Sequence, residues 1–272
     1  MGPFSEGSFT CAMKDISFVL IVKNEAQQVE RTLKSIAWAK EIVVVDAFST
    51  DATVAICRRY TDKVFQFPWE GFSVQRRRSV ELAGQPWIFS IDADEVVSEA
   101  LREEIAALPE NPGPVGFWVP RKTQYLNRWI SHCGWFPDYQ LRLFRKDRVL
   151  LPNRAVHEGF AVRGETARLK GILQHYSYRS LSQHLEKINR YTTLETEEKM
   201  RQLKGKPVHW YHLLFNPLSR VWRMYVANKG FLDGFQGFLL SVYSAFYTHV
   251  LYAKIWEKQH ATSHSPEKGP ER

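Results

Sequence analysis

The sequence predicts an α/β protein built on a mostly parallel, doubly wound sheet, because strand-like and helix-like patterns alternate from residue 16 onward. Four short runs rich in Val, Ile and Phe are bounded by polar or turn residues, which is typical of buried strands. The segments between them look helical, and strands joined by such crossovers lie parallel. The four predicted strands cover residues 16–22, 42–45, 63–67 and 87–91.

Three helices are predicted between these strands. The first follows Asn24, which forms a capping-box pattern with Gln27, and its apolar residues between 29 and 36 repeat at helical spacing. The second is predicted for residues 53–60. The third covers residues 73–83 and carries three consecutive arginines, of which we expect one to face a functional site and two to be solvated.

Carboxylates follow two of the predicted strands. Asp46 ends the second strand, and Asp92, Asp94 and Glu95 follow the fourth. The carboxyl ends of parallel strands form the ligand-binding edge of such sheets, where a carboxylate commonly binds a ribose or a base. Clustered carboxylates need a counter-charge, and Mg²⁺ or Mn²⁺ is the natural choice beside a phosphorylated ligand. Glu95 also suits the first turn of a following helix. There is no glycine-rich phosphate-binding loop.

The second half of the chain is less regular. Residues 116–120 read as a strand, and residues 138–145 read as an alternating strand that begins with Asp138. Between them, residues 123–137 are rich in aromatic side chains, which suit a sugar-binding pocket as well as packing on the sheet. Ser180 and Gln183 then form a capping box at the start of another helix.

The C-terminal third has the character of a membrane-facing segment. Residues 199–232 contain seven cations, no carboxylate and several Trp and Tyr residues, a mixture that favours an anionic bilayer surface. Residues 234–253 carry no formal charge with His249 neutral, and we expect an interfacial helix or helical hairpin there rather than a true span. The alternative is a helix buried in the core or in a dimer. Single-stranded nucleic acid is an alternative ligand for the basic residues, but the adjoining apolar run disfavours it, so no nucleic acid is expected.

Composition agrees with this interpretation. The chain has 272 residues and a net charge of +8, which suits an anionic partner. Its three cysteines show no metal-type spacing, which indicates a reducing compartment and no disulfide framework. No secretory signal pattern is present in the sequence, so a cytoplasmic location is expected.

Three motifs in order resemble family 2 glycosyltransferases of the GT-A fold. They are Ile-Val-Lys-Asn-Glu, Val-Val-Val-Asp-Ala-Phe-Ser-Thr-Asp-Ala-Thr and Ile-Asp-Ala-Asp-Glu, and the resemblance covers roughly residues 16–157. It implies that Asp46 contacts the nucleoside of a sugar nucleotide, and that Asp92 also belongs to the nucleotide-sugar site. It further implies that Asp94 binds the divalent cation. The arginine-rich helix takes the place of a helix whose basic residue faces the nucleotide, and Arg76 is our choice for that residue.

The resemblance also suggests which residue is the base. Asp138 matches the catalytic acid that follows the metal motif, and inverting transfer needs such a group to take the acceptor's proton. Glu158 is the alternative base. His157 matches a histidine that is a third metal ligand in some GT-A enzymes, and the alternative is that both residues simply bond the backbone of a turn.

The chain as a whole resembles the bacterial lipopolysaccharide inner-core glucosyltransferases of family 2. That resemblance implies a UDP-glucose donor, a lipid-anchored heptose acceptor and attachment to the cytoplasmic face of the inner membrane. The expected organisation is a flexible leader (1–14), a GT-A domain (15–178), a helical membrane-facing extension (179–259) and a disordered tail (260–272). Alternatives are a different donor and lipid-linked glycan, a nucleotidyltransferase of similar fold, and a binding module without catalysis.

Overall fold

The computed structural model describes residues 15–109, 112–150 and 159–261, which form two compact units. The first, here called the sheet unit, contains the described residues up to Lys122 together with Pro137–His175. The second, the helical unit, contains Thr123–Phe136 and the described residues from Tyr176 onward. The aromatic segment that separates two predicted strands therefore belongs with the C-terminal helices.

The regular elements follow each other along the chain in this way. The strands are β1 (Ile16–Val22), β2 (Glu41–Asp46), β3 (Val64–Gln66), β4 (Trp87–Ser90), β5 (Glu95–Val97), β6 (Gly116–Tyr125), β7 (Arg128–Trp129), β8 (Asp138–Arg145), β9 (Val149–Leu150), β10 (Ala161–Val162), β11 (Thr166–Arg168) and β12 (Leu173–Tyr178). The helices are α1 (Val29–Ser35), α2 (Thr53–Cys57), α3 (Phe72–Leu82), α4 (Glu99–Ala107), α5 (Leu181–Leu203), α6 (Trp210–Val221) and α7 (Gly234–Ala261).

The central sheet confirms the predicted fold class. Its first strands lie in the order β3-β2-β1-β4 and are all parallel, as the alternation of strands and helices predicts. Beyond β4 the sheet becomes mixed, because β8 pairs antiparallel with β4 and β6 pairs antiparallel with β8. The start of β8 thereby lies at the same edge of the sheet as the carboxyl ends of the parallel strands.

The core of the sheet unit explains the apolar runs. Phe18 of β1 and Phe89 of β4 are fully buried and stack with their ring centroids 4.7 Å apart. Leu20 and Val44 are buried beside them. Burial of each such side chain contributes about 1.5–3 kcal/mol, so these strands are held firmly at the position from which their polar ends project.

The predicted capping box at Asn24 is wrong. Helix α1 begins only at Val29, and its N-cap makes no side-chain hydrogen bond. Asn24 instead adopts a left-handed backbone conformation with φ of 56°. Its Oδ1 accepts a hydrogen bond from the Thr50 amide (2.8 Å), and its own amide donates to Ser49 Oγ (2.8 Å). Asn24 therefore links the turn after β1 to the turn after β2 by hydrogen bonds. This link explains why a polar residue stands between two buried elements.

The interpretation of Glu95 as a helix-start residue is also wrong. Helix α4 begins at Glu99, and Ser98 is its N-cap, since Ser98 Oγ accepts from the Leu101 amide at 3.3 Å. Glu95 is the first residue of β5, where it pairs with His175 of the antiparallel strand β12. An extended backbone at Glu95 aims its side chain into the sheet unit rather than along a helix.

The helical unit is built from α5, α6 and α7, with α7 packed against both of the others. Ser180 is the N-cap of α5, as predicted, because its Oγ accepts from the Gln183 amide at 3.1 Å. Helix α7 is continuous to Ala261, and it buries Leu240, Leu251 and Ile255. Across the described ranges, none of the helices combines the length and the apolar character needed to cross a bilayer.

The aromatic segment contributes to the core of the helical unit. Tyr125 is fully buried, and its ring lies 6.3 Å from that of Trp135 and 5.6 Å from that of Tyr178. The Tyr125 hydroxyl is 3.0 Å from His184 Nδ1. For Tyr125, packing is therefore the correct interpretation and a sugar-binding pocket is the wrong one.

Candidate active site

Asp46 ends β2 in a fully buried position. Its Oδ2 accepts hydrogen bonds from the Ser49 amide (3.0 Å) and from Gln66 Nε2 (2.9 Å), and its Oδ1 accepts from the Ser49 hydroxyl. These donors satisfy the carboxylate without a ligand. Because Asp46 is fully buried among these donors, a nucleoside reaches it directly only if this cluster rearranges, so its expected role in nucleoside binding stays a prediction.

The Asp92–Glu95 turn is fixed at several points. Glu95 Oε2 accepts from the Asp92 amide (3.0 Å), and the Glu95 amide donates back to the Asp92 carbonyl (3.0 Å). Thr32 of α1 donates from its hydroxyl to the Ala93 carbonyl (2.7 Å). The turn after β4 therefore has one defined backbone, which sets the directions of the Asp92 and Asp94 side chains.

Arginines supply the counter-charges for these carboxylates. Arg142 of β8 is buried, and its Nη2 donates to Asp92 Oδ2 (2.7 Å) and to Glu95 Oε1. Arg76 of α3 lies 3.8 Å from Asp92 Oδ1. Burial opposes the ionisation of Asp92, but Arg142 and Arg76 outweigh it and lower the pKa of this carboxyl. At neutral pH Asp92 is a carboxylate and an acceptor only.

Asp138 is held at the start of β8 by a second arginine. Arg121 Nε and Nη2 both donate to Asp138 Oδ2, at 3.0 and 2.7 Å. Gln140 Nε2 donates to Asp138 Oδ1 at 2.8 Å. With two donors on Oδ2 and one on Oδ1, Asp138 retains a free acceptor site on Oδ1 that a further donor can occupy. Arg121 Nη1 also reaches Glu95 Oε1 at 3.4 Å, which joins the two carboxylate groups.

These side chains surround a cavity of about 290 Å³ within the sheet unit. Its lining includes Arg76, Arg121, Arg142, Asp92, Trp118 and Gln140. The three guanidinium charges are matched by the carboxylates of Asp92, Glu95 and Asp138. The cavity is therefore polar but close to neutral, and it offers many hydrogen-bonding groups beside the aromatic rings of Trp118 and Phe160. Such a lining suits a neutral polyhydroxylated ligand better than a free anion.

Asp94 forms a separate pair with His175. Asp94 Oδ2 and His175 Nε2 are 3.2 Å apart, which is a direct contact between a carboxylate and an imidazole. Within the described ranges no three His, Cys, Asp or Glu side chains converge on one point. A carboxylate and an imidazole therefore fit a cation that takes its remaining ligands from water and phosphate oxygens.

The structure brings several of the expected residues together. Arg76 and Asp92 line the cavity, and Asp138 is hydrogen-bonded to the lining residues Arg121 and Gln140, whereas Asp46 is buried in its own hydrogen-bond cluster. His157 and Glu158 lie outside the described residues. The remaining arginines of α3 are not freely solvated, since Arg78 donates to Glu70 (2.5 Å) and lies over the Phe67 ring.

Sequence reasoning missed Arg121, Arg142, His175 and the position of Glu95. One signal was available for Arg142, because a charged residue between the apolar residues Leu141 and Leu143 of a strand demands a buried partner of opposite charge. The carboxylate cluster after β4 offers that partner, but its pairing with β8 depends on contacts about 50 residues apart along the chain.

Comparison with known proteins gives a consistent picture. Residues 17–171 match the model of glycosyl transferase family 2. The lipopolysaccharide core biosynthesis glycosyltransferase LpsC of Rhizobium meliloti is 30 % identical, over 92 % of this chain and 95 % of that protein. An uncharacterized glycosyltransferase of Rickettsia typhi is 28 % identical, over 90 % of this chain and 88 % of that protein. The structure of S. aureus TarS residues 1–349 with UDP is 14 % identical, with a TM-score of 0.45 over 92 % of each chain, a similarity too low to inform on ligands.

Proposed function

The chain belongs to glycosyl transferase family 2, and from that premise we propose that it transfers a sugar, with inversion, from a UDP-sugar to a lipid-anchored glycan. The donor we propose is UDP-glucose, and the acceptor is a heptose of a lipopolysaccharide inner core. The similarity to LpsC, which is named for lipopolysaccharide core biosynthesis, supports the choice of acceptor. The observation that carries the proposal is the cavity lined by Asp92, Arg121 and Arg142, whose polar and aromatic lining suits a sugar.

The cavity is the proposed place of the transferred sugar. Its volume of about 290 Å³ is at the lower end of the range of about 300–1,000 Å³ that is usual for small-molecule pockets, so it suits one sugar ring. Trp118 offers an aromatic face, while Gln140 and Asp92 offer groups for hydrogen bonds to hydroxyls. Arg76, close to Asp92, is placed to bind an oxygen of the donor's diphosphate.

A divalent cation, Mg²⁺ or Mn²⁺, is the proposed cofactor. Asp94 and His175 are the described residues that would hold it, since they offer a carboxylate oxygen and an imidazole nitrogen side by side. When bound, such a cation stabilises the negative charge of the departing nucleoside diphosphate. His157, the ligand expected from sequence, stays a prediction.

Asp138 is the proposed base. Its side chain is 36 % exposed, so an acceptor hydroxyl is able to reach it, and Arg121 and Gln140 fix its orientation. In the proposed reaction the acceptor oxygen bonds to the anomeric carbon as the bond from that carbon to the diphosphate breaks. The hydroxyl proton passes to Asp138, and Arg76 stabilises the leaving group.

The proposed membrane contact lies on the helical unit. Four large apolar side chains spaced four residues apart form one exposed stripe, here called the α6 stripe: Trp210, Leu214, Leu218 and Trp222, which are 72, 48, 55 and 65 % exposed. Exposed cations accompany them, namely Lys204, Lys206, Arg223 and Lys229, and residues 199–232 contain no carboxylate.

A surface of this kind fits the interface of an anionic bilayer, where aromatic residues enter the headgroup region and cations bind phosphate. Each cation near such a surface contributes about 1 kcal/mol. Peripheral attachment through the α6 stripe would bring the enzyme to a lipid-anchored acceptor. By this proposal the protein acts at the cytoplasmic face of the inner membrane.

A product assay tests the proposed function. Purified protein is incubated with Mn²⁺, UDP-glucose and lipopolysaccharide from cells that lack its inner-core glucose, and the products are analysed by mass spectrometry. The proposal predicts release of UDP and a mass gain of one hexose on the core. Release of pyrophosphate would indicate a nucleotidyltransferase, and transfer only from another UDP-sugar would change the donor and retain the reaction.

A further inference from the structure

Glu95 is the centre of a charge network that reaches both halves of the candidate site. One of its carboxylate oxygens, Oε1, accepts from Arg142 and from Arg121 Nη1 (3.4 Å). Arg142 continues to Asp92 (2.7 Å), and Arg121 continues to Asp138 (2.7 Å). A single carboxylate thus connects Asp92, which lines the cavity, to Asp138, the proposed base, through one arginine on each side.

The exposure of these groups falls toward the centre of the network. The side chains of Asp138 and Asp92 are 36 and 29 % exposed, that of Arg121 is 23 % exposed, and that of Glu95 has no exposed surface. Glu95 is absent from the cavity lining, whereas both of its arginine partners are part of it. Glu95 therefore cannot touch a substrate in this arrangement, and any effect it has on the reaction passes through the arginines.

Stability alone is a poor explanation for the network. Taking ions out of water is costly, and replacing a buried ion pair by well-packed apolar residues is often neutral or stabilising. A buried, fully hydrogen-bonded network does provide one defined geometry, because each member restricts the others. Glu95 accepts on both oxygens, with Oε2 bound to the Asp92 amide, so its own position is fixed as well.

We propose that Glu95 is a positioning residue that orients Asp92 through Arg142 and Asp138 through Arg121. The orientation of the two carboxylates is argued from the contacts alone, whereas the effect on the reaction rate rests on the proposed glycosyl transfer. Without the Glu95 charge, Arg121 and Arg142 lose their shared partner, and the two carboxylates beside the sugar lose their fixed separation. A displacement of about 1 Å at a reacting group typically costs about 100-fold in rate.

Crystal structures of the wild type and of the Glu95→Gln variant test the structural part. We expect the Asp92 and Asp138 side chains both to move in the variant, together with Arg142 and Arg121. The matched control is Glu41→Gln, which alters another buried carboxylate of the same sheet, bound by Lys63 and Ser17, and should leave both side chains in place. Unmoved Asp92 and Asp138 side chains in Glu95→Gln would overturn the inference, whatever the enzyme transfers.

Kinetics test the functional part. We expect Glu95→Gln to lower kcat for UDP release from UDP-glucose about 100-fold, and Arg121→Met to lower it by a similar factor. If Glu95 acts on Asp138 through Arg121, Glu95→Gln lowers kcat by a smaller factor in the Arg121→Met background than in the wild type, and the remaining loss passes through Arg142. A double variant whose decrease in kcat equals the product of the two single decreases would overturn the pathway through Arg121. A merely destabilised protein would lose active fraction but would not show this dependence between the two residues.

A third variant, Glu95→Asp, tests the proposal if Glu95→Gln does not fold. Glu95→Asp keeps the charge but shortens the side chain by one methylene group, so it cannot hold both arginines at once. We expect folded Glu95→Asp to have a kcat at least tenfold below that of the wild type. Its kcat should still be higher than that of Glu95→Gln, because the charge is kept. Wild-type kcat in Glu95→Asp would overturn the inference. Absence of UDP release by the wild type would instead refute the proposed donor, while the crystallographic comparison would still test the positioning role.

Discussion

Replacement of Arg142 by methionine gives the strongest test of the buried charge network. Arg142 is 4 % exposed, and it is the nearest counter-charge of both Asp92 and Glu95. Methionine has a similar length and fills the space without a charge. The variant therefore leaves two buried carboxylates with only Arg121 and Arg76 nearby. Removing one partner of a buried pair typically costs about 3–5 kcal/mol.

The loss should depend on pH. Burial raises the pKa of Glu95 above its ordinary value of 4.5, and removal of Arg142 raises it further. A carboxyl whose folded pKa is raised binds more protons in the folded state, so it destabilises the protein as the pH rises above 4.5. In the wild type the pKa of Asp92 is lowered, so the stability it contributes is present above pH 3.8 and is lost only below it. The deficit of Arg142→Met should therefore be larger at pH 8 than at pH 5.

Thermal unfolding followed by circular dichroism measures this effect. At about 2–4 °C per kcal/mol, the expected loss lowers the Tm of the sheet unit by about 6–20 °C. The matched control is Arg145→Met, which removes another arginine of β8 whose ion pair with Asp147 is exposed, and which should leave Tm almost unchanged. Equal Tm values for the two variants, or a deficit that grows toward low pH, would refute the reasoning about the buried network.

Three further variants test the proposed roles. Asp94→Ala should stay folded but lose Mn²⁺-dependent stabilisation by UDP, measured by thermal shift; unchanged stabilisation would remove Asp94 from the cation site. Asp138→Asn should bind UDP normally and lose transfer, measured by product analysis; retained turnover would assign the base role to Glu158. Trp222→Ser should lower affinity for anionic vesicles about tenfold in a sedimentation assay, through loss of about 1.4 kcal/mol of apolar burial, while Trp69→Ser of the sheet unit should not. Unchanged vesicle binding, or a change from dimer to monomer in Trp222→Ser, would assign the α6 stripe to another partner.

Local patterns were sufficient to predict the parallel half of the sheet. The runs around Phe18, Val44 and Phe89 are short, apolar, bounded by polar residues and separated by helical patterns, and these features together indicate buried parallel strands. The parallel order also puts the Asp92 turn at the ligand-binding edge. Asp138 was placed at the start of a strand by alternation and turn residues, but its approach to that edge required the antiparallel pairing of β8 with β4.

Long-range pairing explains what the sequence did not reveal. Glu95 reads as a helix start because nothing local indicates its partners, which lie on β6 and β8. His175 meets Asp94 only because β12 pairs with β5. Asn24 looks like a cap in sequence, yet its partners are in a turn 25 and 26 residues away. In each case a polar residue is explained by a contact between elements, which periodicity does not encode.

The most direct test of the central claim is the thermal stability of the wild type with Mn²⁺ and a panel of UDP, GDP and CMP nucleotides and their sugar conjugates. Ligand at a hundredfold excess over Kd stabilises the folded state by about 2.7 kcal/mol. A UDP-sugar transferase should show a metal-dependent rise in Tm that is confined to UDP and its sugars. A folded protein with no shift for any nucleotide, or with equal shifts for all of them, would contradict the account.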